Sequence, residues 1–119
     1  MERLFSVDEA NALVPQLSEL LQRLRDAHGA LRGATLNARR QAASNGGAPE
    51  PLIESGGEYM QLISEINELG VIVRDPESGL CDFPAERDGE AVYLCWQLGE
   101  ERVAFWHPQD TGIAGRQPL

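Results

Sequence analysis

After Gly70 the spacing of apolar residues changes, and that change constrains the fold more than any other feature of the chain. Before it, Val14, Leu17, Leu21, Leu24, His28 and Leu31 recur at the alternating three-and-four spacing of a helical seam, flanked by Leu13, Leu20 and Ala27. After it, Val71-Ile72-Val73-Arg74 and Leu80-Cys81-Asp82-Phe83 carry the two-residue period of strands around the turn Asp75-Pro76-Glu77-Ser78-Gly79. Helices followed by strands within 119 residues predict a single α+β domain over 1–119, because a parallel sheet would need the two to alternate. The expected architecture is an antiparallel helical hairpin of long, coiled-coil-like helices, then a small antiparallel β-meander of three or four strands, then an irregular C-terminal tail.

The boundaries follow from local chemistry. Ser6-Val7-Asp8-Glu9 fits a capping box and opens the N-terminal helices, expected over 6–43. Pro15 lacks the amide a helix interior needs, which predicts a short helix at 7–13, a kink, and a long helix beginning at the proline. Three apolar positions per heptad is wider than a two-helix seam requires, so the stripe must face a second helix and also either a sheet or another subunit. Ser44 to Glu50 is a loop, and Tyr59, Leu62, Ile63, Ile66 and Leu69 mark a second helix over 51–70. Gly56-Gly57 weakens its first turns, and Gly70 suits a left-handed C-cap.

Within the meander, 71–107, a tight Asp88-Gly89 turn sets Cys81 beside Trp96 and Asp82 beside Cys95. The two thiols then point to opposite faces, which predicts no disulfide, and Pro84 is expected to interrupt the ladder. A two-residue turn at Gly99-Glu100 would place Leu94 opposite Phe105. Leu94, Trp96, Val103 and Phe105 would then share one face, with Tyr93, Gln97, Arg102 and Trp106 on the other. The tail, 108–119, has no period of its own and is either loose or folded over the sheet.

Ten Lys plus Arg against nineteen Asp plus Glu give a net charge of −9, which repels a phosphate backbone and argues against nucleic acid as a partner. No apolar run approaches the roughly 20 residues of a membrane span, and Met1-Glu2-Arg3 leads into the helix signal without a signal peptide. A cytoplasmic protein is expected. Cys81 and Cys95 match no zinc-ligand spacing and read as core thiols.

The blocks Gly79-Leu80-Cys81-Asp82-Phe83-Pro84-Ala85, Asp88-Gly89, Val92-Tyr93-Leu94-Cys95-Trp96, Trp106-His107 and Asp110 to Leu119 form a distinctive C-terminal half. With Leu4-Phe5-Ser6-Val7-Asp8-Glu9-Ala10-Asn11, the chain resembles the small bacterial domain of unknown function family number 2203. The resemblance implies a stand-alone bacterial protein and carries over no activity and no catalytic residue. Relatives often have an acid after the Trp-His pair and an aromatic at the position of Ile113, where this chain has Pro108 and Ile113.

The candidate ligand-binding residues are Asp82, Trp106, His107, Asp110 and Arg116. Imidazole with carboxylates at Asp82, His107 and Asp110 is a usable donor set for a divalent metal. No His-x-x-x-His or Cys-x-x-Cys anchors it, and the plainer reading has His107 closing a strand and Asp110 holding the turn beyond it. Arg116 could grip a carboxylate or phosphate. The competing expectation is a salt bridge to Asp82, Asp88 or Asp110 that pins the tail. His28 on the helical seam reads as packed rather than functional. Arg25, Arg32 and Arg39 recur every seven residues, as do Glu58 and Glu65, so the rows are either solvated faces or meet across a second interface.

Generic catalytic signatures are missing, so the leading expectation is a non-enzymatic interaction module without a cofactor. It would act as a homodimer through the helices or on another protein partner. The alternative is a metal-dependent hydrolase-like or ligand-sensing protein with its site at His107, Asp110 and Asp82.

Overall fold

The computed structural model describes residues 3–41 and 50–119. Two helices, α1 (Val7–Gln41) and α2 (Glu50–Glu68), precede strands β1 (Ile72–Asp75), β2 (Leu80–Arg87), β3 (Glu90–Gln97) and β4 (Phe105–Pro108). A short 3-10 turn, η1 (Gly112–Gly115), and a fifth strand, β5 (Gln117–Pro118), follow. The five strands form one antiparallel sheet in sequence order, with the helical hairpin packed against one face. The class is α+β as expected; of the expected loop at 44–50, residues 44–49 lie outside the described residues and Glu50 instead opens α2.

The capping box forms. Ser6 N–H donates to Glu9 Oε1 at 2.9 Å and Glu9 N–H donates to Ser6 Oγ at 3.0 Å. The Ser6 amide, then its hydroxyl, hold the Glu9 carboxyl below the ordinary range, so the contribution of this cap is present above about pH 4.3 and fades as pH falls through the depressed value. Ser6→Ala is expected to lower stability by about 1 kcal/mol. A urea melt would show this as a lower midpoint at unchanged slope, and an unchanged midpoint would contradict the cap.

The expected kink at Pro15 gives way to one continuous helix of 35 residues. Pro15 itself is exposed, while Ala10, Leu17, Leu20, Leu21 and Leu24 are buried together in the core. The local cost of about 3 kcal/mol is offset by burying that shared face, which keeps both halves of the helix in line. At the other hairpin arm, α2 ends in a Schellman cap: Val71 N–H reaches Ile66 O, Gly70 N–H reaches Asn67 O at 2.9 Å, and Gly70 has φ +89°.

The wide stripe of α1 is consumed within the chain. Leu17, Leu20, Leu21, Leu24 and Ala27 share one core with Leu62 and Ile66 of α2 and with Cys81, Phe83, Leu94 and Trp96 of the sheet. Of the flank expected to meet either a sheet or a second subunit, Leu20 and Ala27 are buried by the sheet and hairpin together, and Leu13 is partly buried against the same core. Two residues of the arginine row, Arg25 and Arg32, also find local partners. Arg25 donates to Glu77 O and Ser78 O in the β1–β2 turn, and Arg32 pairs with Glu77 at 3.2 Å.

The β2–β3 register is the expected one, with Cys81 opposite Trp96 and Asp82 opposite Cys95 around a turn in which Asp88 and Gly89 both have positive φ. Both cysteines are free and lie on opposite faces of the sheet. Pro84 does not interrupt β2. Its carbonyl accepts from Phe5 N–H at 2.8 Å. In an antiparallel ladder a residue's N–H and C=O point the same way, so the missing amide faces the N-terminal segment and β3 loses no partner.

The β3–β4 pairing differs by one residue from the two-residue-turn expectation. Leu94 lies opposite Trp106 and Cys95 opposite Phe105. The connection is a longer loop whose turn closes by Glu100 N–H to Gln97 O, with Gly99 at φ +104° in its third position. Asn11 of α1 then grips Val103 through an N–H to Oδ1 bond of 2.7 Å. The slip moves Phe105 to the outer face and Trp106 to the helix-side face, where Arg87 stacks over its ring at 4.8 Å. Trp106 therefore shares no face with Tyr93. The tail is docked, with β5 pairing β4 and Leu119 N–H donating to Ala104 O.

Candidate functional site

The slipped register gathers polar groups on the sheet face away from the helices. Asp82 of β2 lies opposite Cys95 of β3; His107 of β4 lies opposite Tyr93; Ile72 of β1 lies opposite Asp82, and the alternation puts Arg74 on that face too. Asp82, Cys95 and His107 are all buried, and a donor atom from each lies within 4.8 Å of the others.

The hydrogen bonds define what these donors present. His107 Nδ1–H donates to Pro108 O at 2.8 Å, a carbonyl that can only accept. That leaves Nε2 facing Asp82 Oδ1 at 3.0 Å. Nε2 and Oδ1, two atoms able to ligate a metal, thus face each other at a buried point. The other carboxylate oxygen, Oδ2, accepts from Arg74 Nε at 2.8 Å, a bond that holds the guanidinium more firmly protonated against its partial burial. The guanidinium stacks over Tyr93 at 4.9 Å. Arg74, Asp82, Cys95 and His107 open on a cleft of about 360 Å³ whose far wall is formed by Gln109, Gly112 and Ile113 of the docked tail.

Burial pushes the Cys95 thiol up to about 11, helped by the Asp82 carboxylate and opposed by Arg116, and burial raises Cys81 further. Both are neutral thiols at neutral pH in the metal-free protein, which argues against either as a thiolate nucleophile. A raised acid stabilises the fold below its unfolded value, near pH 8.5, and that stability is lost as pH rises toward about 11. Stability measured in urea should therefore fall through this window, and Cys95→Ala should make the decline shallower; an unchanged slope would contradict the shift.

Of the residues singled out from sequence, Asp82 and His107 are brought together and the others are not. Asp110 is exposed in the turn after β4 and does not line the cleft. Arg116 pins the tail, but to Glu100 rather than to Asp82, Asp88 or Asp110, and its guanidinium stacks over Phe105 at 4.1 Å. Burial opposes its charge, and the Glu100 bond together with the charge interactions and hydrogen bonding to Glu100 and Cys95 outweighs that, so Arg116 is held protonated as a tether. Trp106 packs on the core. His28 is half-buried beside Tyr59, ring centroids 6.0 Å apart. Sequence reasoning missed Cys95, read as a core thiol, and Arg74. The signal for both was present in the β2 register and in strand alternation, since Asp82 opposite Cys95 already put the thiol on the carboxylate's face.

Fold and cluster together define a small α+β protein that carries a buried Asp-Cys-His group on the outer face of its sheet. The chain belongs to the family described as Uncharacterized conserved protein (DUF2203), whose model matches residues 3–119. No curated protein and no solved structure matches it.

Proposed function

We propose that the chain is a divalent-metal-binding protein whose site is Asp82, Cys95 and His107, with a ligand-sensing or hydrolytic role at the cleft they open on. The observation that carries this is the convergence of three different donors, from three strands, within 4.8 Å at a buried point. Thiolate, imidazole and carboxylate together suit zinc or a similar borderline ion. The outer partners support the same reading. A ligating histidine typically donates its other ring N–H to a carbonyl, as His107 does to Pro108, and a ligating carboxylate is itself hydrogen-bonded, as Asp82 is by Arg74. A tetrahedral ion spaces its donors by roughly 3.3–3.8 Å, so the His107–Asp82 pair, now 3.0 Å apart, would open slightly on binding while any separation near the 4.8 Å limit would close. Three protein donors leave one position for water or a ligand, the arrangement of sites that act on or sense small molecules. A free thiol available to ligate persists most readily in a reducing compartment, which is consistent with a cytoplasmic location.

The test is metal content of the untagged protein by native mass spectrometry after zinc is offered and excess removed. One ion per chain that both Cys95→Ser and His107→Ala lose while keeping a wild-type circular dichroism spectrum is expected. Wild-type protein that stays metal-free would overturn the reading.

A second reading, a homodimer through the helices, is favoured by the apolar side chains left on the hairpin: Leu36, Ile53 and Met60 are 53%, 63% and 64% exposed. The same spectrum reports subunit count. A dimer that Met60→Glu dissociates supports this reading, and a monomer at all concentrations removes it.

A further inference from the structure

We propose that the cleft beside Asp82, Cys95 and His107 takes a small oxyanion, a carboxylate or a phosphate group, with one oxygen on the metal and another on the Arg74 guanidinium. This rests on the metal reading above and goes beyond it by naming the ligand class. Arg74 spends only its Nε on Asp82, at 2.8 Å, so its two terminal amino groups lie outside that bond. Stacking on Tyr93 at 4.9 Å fixes the plane in which those groups present their hydrogens, and Arg74 lines the same cleft as the three donors. A planar fork of N–H donors held in place is the geometry that recognises carboxylate and phosphate oxygens.

Charge points the same way. A divalent ion is balanced by the Asp82 carboxylate and the Cys95 thiolate, His107 being neutral when it ligates. What remains at the cleft is the positive charge of Arg74, in a chain whose overall charge is −9. An anion entering there meets a local positive site and a metal with an open position, and a neutral ligand would meet neither complementarity. The cleft, about 360 Å³, is at the small end of ligand sites and is walled by Leu80 and Ile113. It therefore suits a small anion rather than a polymer.

The experiment uses the full chain loaded with cobalt, freed of excess ion, and titrated at constant ionic strength with inorganic phosphate and, separately, acetate, while the visible cobalt spectrum is followed. A saturable spectral change is expected with at least one of the two, and the tighter arm identifies the phosphate or the carboxylate as the preferred source. Arg74→Gln, which should hold cobalt more weakly because it loses the bond that orients Asp82, is compared on its cobalt-loaded fraction and should bind that anion about tenfold more weakly, the worth of one charge-assisted hydrogen bond. Because that variant also removes a bond to Asp82, Arg74→Lys is the second probe. It keeps the charge and a donor to Asp82 but lacks the fork, and it too should bind more weakly than wild type. A cobalt spectrum that neither anion moves, or wild-type anion affinity in both variants, overturns the oxyanion ligand while leaving the metal site standing. Failure of wild-type protein to take up cobalt overturns the metal reading, and this inference with it.

Discussion

Asp82→Ala is expected to destabilise the fold by about 3 kcal/mol, a large effect for a polar substitution. The carboxylate is about 3% exposed and joins side chains from two other strands, His107 Nε2 at 3.0 Å and Arg74 Nε at 2.8 Å. Removing it leaves His107, itself buried, with a ring nitrogen that faces no acceptor, and frees Arg74 on the edge strand. The histidine partner dominates the cost, because Arg74 is 42% exposed and can turn to water. Asp82→Asn keeps the volume and one acceptor, and its cost should be roughly half. Urea unfolding of both variants at pH 7 checks the order. Equal, small losses for the two would mean that the cluster contributes little to stability and is held by the sheet alone. On the metal-binding reading proposed above, both variants should also fail to take up zinc, since neither offers an anionic ligand oxygen.

How much of this was legible in the sequence depends on where the determining contact sits. The capping box, the Gly70 cap and the Asp88-Gly89 turn are local, each set by residues within a few positions, and each formed as read. With the turn known, the β2–β3 register follows, and with it the separation of Cys81 from Cys95. The β3–β4 register is another matter. It depends on Asn11, distant in sequence, holding Val103, and on the Glu100 side chain accepting from Gln97 N–H at 2.7 Å. A glycine suited to a two-residue hairpin was present, but tertiary partners chose a longer loop. Because strand side chains alternate, that one-residue difference moved His107 from the helix side to the face of Asp82. The site exists because of it. Pro15 taught the same lesson in the other direction, as a strong local signal for a break was overruled by a buried face that continues on both sides of it.

Trp96→Ala should cost about 3–5 kcal/mol, a large part of the 5–15 kcal/mol that holds a domain of this size together. Trp96 is among the largest fully buried side chains, 1% exposed, and stands between the leucines of α1 and the strand bearing Cys81. Its Nε1–H donates to Glu100 O at 3.1 Å, so the ring also anchors the loop whose Glu100 side chain tethers Arg116 and the tail. Trp96→Phe keeps most of the ring and loses that bond, for an expected loss of about 1–2 kcal/mol. Only two tryptophans are present, so the fluorescence of Trp106 reports unfolding in both variants. A loss below about 1.5 kcal/mol in the alanine variant would contradict a core built on this residue. Trp96 points to the helices and the Asp-Cys-His group to the opposite face, so on the metal-binding reading proposed above Trp96→Phe should take up zinc as wild type does. Loss of metal in a Trp96→Phe protein that remains folded would mean that the two faces are coupled through the Glu100 loop and the docked tail.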